Sequence, residues 1–109
     1  MISAQLYLLQ RLSALIMAPL VLGHIAVMIY AVQNGLSADE ILSRTSGHLG
    51  WMMFYGLFVL AVGIHAAIGL RVISYEWFGL SERWLNILGW AVFIVLSGLG
   101  WNAVWSVTG

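Results

Sequence analysis

Long apolar stretches alternate with short polar segments along this chain. Mostly apolar runs at about 12–32, 49–70 and 86–107 each reach the roughly 20 residues a helix needs to cross a hydrocarbon core of about 30 Å. Between the first two lies QNGLSADEILSRTSGH, turn-rich and carrying Asp39, Glu40 and Arg44. Between the last two lies RVISYEWFGLSERW, with Arg71, Glu76, Glu82 and Arg83. All eight charged residues therefore fall at span ends or in loops. The pattern predicts an all-α fold, a single transmembrane domain over 1–109 with helices at about 5–33, 48–75 and 85–107. Three helices make a thin bundle, so a partner subunit is expected to complete it.

The first run, Leu12 to Val32, has 21 residues and no small-residue cleavage pattern after it. That exceeds the core of a secretory signal, so a retained first span is expected. Pro19 should bend this span, a defect that neighbouring helices can accommodate in a membrane. Gly63-x-x-x-Ala67 and the group Ser97, Gly98, Gly100 should allow close approach of a helix or a flat cofactor. No internal repeat and no low-complexity segment breaks the pattern.

Composition agrees: 62% of residues are hydrophobic and only 7% charged, against about 25% charged in a soluble domain. The absence of cysteine excludes disulfides, thiolate metal sites, iron–sulfur clusters and thiol-linked haem within the chain. A net charge of zero without a basic patch excludes nucleic acid as a partner. Arg11, Arg71 and Arg83 share one side and Arg44 stands alone on the other, which predicts a cytoplasmic or matrix-side N-terminus. Trp77 and Trp84 then mark the inner interface, and Trp51, Trp101 and Trp105 the outer one.

Two histidines interrupt otherwise uncharged spans, His24 in LVLGHIAVM and His65 in AVGIHAAIGLR. An ionisable ring at membrane depth is costly without a task. Either a neighbouring helix satisfies it by a hydrogen bond, or it is a ligand, as neutral imidazole is for metals and haem iron. Ala61 and Gly69 stand four residues either side of His65 and should leave a shallow trough there, where a porphyrin could press. His24 has the bulkier Leu20 and Met28 in the equivalent places. At about 1.5 Å per residue, His24 lies roughly 20 Å beyond Arg11 and His65 roughly 9 Å before Arg71. That offset is too large for both rings to grip one iron, which points to two groups at different depths. No acid or base lies mid-span, which argues against an ion pump or proton-coupled transporter.

The segment QRLSALIMAPLVLGHIAVMIYA resembles the first helix of the dihaem cytochrome b anchors of succinate dehydrogenases and fumarate reductases. IHAAIGLRVISYEWFGLSE is similar to the family's HxxxGxR helix, and its F-G pair and the acid 11 residues after the histidine also match the single-haem branch. Together the resemblance covers about residues 5–83. It implies an electron-transfer subunit, without catalysis of its own, that carries electrons between an iron–sulfur subunit and membrane quinone. His65 would be an axial ligand of a proximal haem b and His24 of a distal one, each haem shared with a second small membrane-anchor subunit. Arg71 would pair with haem propionates, and Arg11 with the hydroxyl of Ser13 would contribute to a quinone site. A flavoprotein subunit, membrane lipid and a place in a bacterial cytoplasmic membrane complete the picture. In the single-haem branch only His65 ligates and His24 is packed. A haem-free structural subunit of another membrane complex is the remaining alternative. His48, at a span end, is expected to be interfacial. Asp39, Glu40 and Arg44 are expected to be solvated loop charges, although an outer quinone site would find its proton-accepting acid in that loop.

Overall fold

The computed structural model describes residues 3–109. It contains four helices: α1 (Ala4–Asn34), α2 (Ala38–Thr45), α3 (Leu49–Phe78) and α4 (Glu82–Thr108). The three long ones are apolar and long enough to cross a membrane, so the protein is multi-pass. Its long axis of 48 Å matches a 31-residue helix at about 1.5 Å per residue. Each helix runs past its apolar stretch into polar flanks, and α1 continues through Pro19. Ser3 caps α1 by accepting from the Leu6 N–H. Gly79 ends α3 at φ 61°, a left-handed conformation that glycine adopts without steric cost.

The segment expected to be an irregular loop instead folds as α2. Its start has the Ser-x-x-Glu spacing of a helix N-terminus: Ser37 Oγ caps the helix by accepting from the Glu40 N–H and donates to the Glu40 carboxylate at 2.7 Å. Glu40 also leans over Gly35, where φ is 127° and a Cβ would overlap its carboxylate. Arg44 donates to the Gly35 carbonyl at 2.9 Å and lies over the Tyr30 ring. Glu40 and Arg44 are thus local braces rather than merely solvated charges. The far end of α2 is latched to the end of α4: Thr45 Oγ1 donates to the Val107 carbonyl, and the Gly47 N–H to the Thr108 carbonyl. His48 is exposed and precedes α3 without a capping side-chain bond.

α3 is the central element. α1 and α4 both pack on it and hardly touch each other. Its Phe54, Phe58, His65 and Gly69 meet α1, while Gly56, Val59, Gly63 and Arg71 meet α4. The small residues serve helix packing. A Cβ on Gly63 would sit 3.0 Å from Ser97 Oγ, and one on Gly100 2.5 Å from Val59 Cγ1. Gly98, from the same group, faces open space. The buried core is correspondingly small (Ala61, Ala67, Ile68, Leu85, Val104), and most large apolar side chains face outward. In water that surface would aggregate, whereas in a bilayer it is what lipid and neighbouring subunits cover.

Candidate functional site

His65 lies in the seam between α1 and α3. Its Nδ1 is 3.3 Å from the hydroxyl of Ser13, which is buried, with 5% exposure. Ser13 has one hydroxyl proton, and the 2.9 Å contact with the Gln10 carbonyl uses it. Oγ therefore accepts from Nδ1–H, and this network assigns the tautomer. Nε2 is then the nitrogen with a free lone pair, and it has no hydrogen-bond partner among the described residues. The expected trough beside His65 is not open. Ala61 is buried at 4% exposure, and a Cβ on Gly69 would lie 3.5 Å from Gln10 Nε2. These small residues let α1 come close, so α1 occupies the space foreseen for a flat group.

His24 is placed differently. Its ring meets the edges of Phe58 and Tyr55, at centroid distances of 5.2 and 6.3 Å. It makes no hydrogen bond to the described residues. The ring lines a cleft of about 450 Å³ walled by Val59 and Val62 of α3 and Gly100 and Ala103 of α4, and closed at one end by Ile41 and Thr45 of α2. Phe58, the α3 neighbour of His24, is seven residues from His65, about 10 Å by helical rise. The two rings therefore occupy separate levels, as the spacing predicted.

Arg71 is 8% exposed, although it carries a charge. Its two terminal nitrogens donate to Asn86 and to Glu82, tying α3 to α4 across the Gly79 turn. Its Nε is buried and lacks an acceptor among the described residues. The side chain also lines a second cleft, of about 260 Å³, with Leu6, Leu9, Ala67 and Trp90. At 3.6 residues per turn, Tyr55, Val59 and Val62 fall on one face of α3, and Ile64, Ala67 and Arg71 on the opposite one, so the two clefts do not merge.

Arg11 and Ser13, expected to act together, are not brought to one place. Arg11 is exposed and donates to the Tyr7 hydroxyl at 3.0 Å, with its guanidinium over the same ring. Ser13 faces α3. Tyr7, one helical turn from Arg11 and so on its face of the helix, takes the place expected for the Ser13 hydroxyl. Asn86 and Glu82 were unforeseen as partners of Arg71, because no local periodicity links the two sides of a turn. No group of three or more His, Cys, Asp or Glu side chains placed to hold a metal ion occurs among the described residues.

Comparisons with curated proteins and with solved structures returned no match. The family of succinate dehydrogenase/fumarate reductase transmembrane subunits matches over residues 1–100, a range that includes every histidine and arginine discussed above. Membership implies association with the other subunits of such a complex. With three membrane-crossing helices and a family match over nearly its whole length, the chain belongs to the succinate dehydrogenase/fumarate reductase transmembrane subunits.

Proposed function

We propose that this subunit holds haem b through His65 and passes electrons between an iron–sulfur subunit and membrane quinone. The observation that carries this reading is the His65 ring: one nitrogen is engaged by Ser13 and the other has a free lone pair, within a membrane span. That is the arrangement a metal-bound imidazole takes, with its second nitrogen fixed by a hydrogen bond. The buried Nε–H of Arg71 supports it. Arg71 lies six residues from His65, about 9 Å along the helix, and an anionic oxygen such as a propionate would satisfy the orphaned donor. Bound haem would supply reversible one-electron chemistry, while axial ligand, burial and nearby hydrogen bonds set its potential.

In this proposal His24 ligates a second haem at the other level, and the opposite bonds come from a second small anchor subunit. The open apolar cleft beside His24 supports a group there. Arg11 and Tyr7 receive the quinone head group. Tyr7 Oη accepts from Arg11 and keeps its own proton to donate to a quinone carbonyl. The flavoprotein and iron–sulfur subunits dock at the arginine-rich end, on the cytoplasmic side of a bacterial membrane. The edge contacts of His24 with Phe58 and Tyr55 favour a second reading, with one haem on His65 and a packed His24.

The test is a reduced-minus-oxidised spectrum of the purified complex with haem counted per flavin. The proposal expects two b-type haems per flavin and loss of one in His65→Ala. One haem, with His24→Ala spectrally unchanged, selects the second reading. No b-type band, or full haem content in His65→Ala, overturns both.

A further inference from the structure

A serine inside a helix commonly returns its hydroxyl proton to a carbonyl three or four residues earlier. Ser13 does so with Gln10 at 2.9 Å, which satisfies the donor and leaves the oxygen lone pairs to be placed. They are aimed across the seam at Nδ1 of His65, on a helix 52 residues away in sequence. Ser13 is 5% exposed, so no water competes for the contact. We propose that Ser13 is a positioning residue for His65, fixing the tautomer and plane of the ring so that Nε2 is presented as a ligand. This rests on the haem reading above and assigns Ser13 to that site rather than to quinone.

Three physical consequences follow. Without an acceptor, the Nδ1–H would lose its hydrogen bond, and the proton would be free to move to Nε2, blocking ligation. The acceptor is a neutral hydroxyl rather than a carboxylate. It therefore adds little negative character to the ring and leaves reduced iron accessible. Finally, the bond ties the ligand on α3 to the position of α1, so sliding of α1 would be felt at the iron.

The experiment compares Ser13→Ala, Ser13→Cys and Ser13→Thr with His65→Ala in the assembled complex, with assembly checked by flavin content. Readouts are haem retention against an excess of apomyoglobin, the midpoint potential, and the low-temperature electron paramagnetic resonance of ferric haem. Ser13→Ala should weaken retention about 10–100-fold, raise the potential and shift the ferric signal. Ser13→Thr should restore all three, and Ser13→Cys, a weak acceptor, should fall between. If His65→Ala loses its haem while Ser13→Ala and Ser13→Cys match the wild type in all three readouts, the role of Ser13 is refuted and the haem reading stands. If His65→Ala keeps its haem, both fall.

Discussion

His65 and His24 look alike in sequence: each is a single imidazole in an uncharged apolar run. The folded chain treats them differently. His65 sits in a tight seam where small residues admit α1, and a buried hydroxyl accepts a hydrogen bond from its Nδ1–H. His24 sits at the edge of a roomy apolar cleft, touched by aromatic edges and by no hydrogen-bonding group among the described residues. The contrast separates two requirements of a ligand site. His65 has orientation but little room on the α1 side, whereas His24 has room but no orienting bond. On the proposed haem reading, a partner subunit would add different things at the two levels, a facing wall at His65 and an orienting contact at His24.

The largest expected effect separates the two rings directly. On the haem reading, replacing His65 by alanine should abolish that haem, because alanine offers iron no donor atom. His24→Ala should leave that haem's spectrum and potential unchanged, since the two levels lie about 10 Å apart along α3. Pyridine haemochrome assay and redox titration of the two variants check this. A coupled loss of both haems from His24→Ala would break the separation into independent levels.

Next comes the wall beside the His24 cleft. Gly100→Ala would place a Cβ 2.5 Å from Val59 Cγ1 and 2.9 Å from Cγ2. Valine has little rotamer freedom on a helix, so the helices must move apart. The expected cost is about 2–3 kcal/mol, the upper part of the range for overpacking. Gly98→Ala faces open space and should leave stability unchanged. Thermal melting of the detergent-solubilised complex distinguishes them, and equal melting temperatures would contradict the packing described for α3 and α4.

The Arg71 brace steadies the His65 half. Glu82→Ala should cost about 1–2 kcal/mol. That is less than the roughly 3–5 kcal/mol for breaking a fully buried pair, because Glu82 is 67% exposed and water screens it. Asn86 would continue to hold Arg71. The same melting assay at low and high salt checks this, with the smaller loss expected at high salt.

Hydropathy made the three spans legible, because lipid leaves a crossing segment almost no alternative to a helix. The separate levels of the two histidines followed from helical rise alone. Sequence also carried the signal for α2, in the Ser37-x-x-Glu40 spacing, but the surrounding Asn34, Gly35 and Ser46-Gly47 made the whole segment read as turns. The meeting of Ser13 with His65, and of Arg71 with Asn86, was not legible. Both depend on the rotation and register of one helix against another, which a single helix's periodicity does not contain. The same limit explains Ala61 and Gly69. A small-residue stripe shows that something approaches closely, and here the approaching body is α1.

The smallest effect concerns the closed end of the His24 cleft. Thr45 Oγ1 donates to the Val107 carbonyl across the α2–α4 latch, and its side chain helps line the cleft. Thr45→Val keeps the shape and removes the hydroxyl, which should cost about 1 kcal/mol. The loss should be local, because α2 packs chiefly on the end of α4 and the seam around His65 lies elsewhere. Hydrogen exchange read by mass spectrometry should show faster exchange over 38–48, with the peptides around Ser13 and His65 unchanged. Faster exchange in those peptides as well would mean that latch and seam form one cooperative unit, and that the two histidine environments differ in contents but not in mechanical independence.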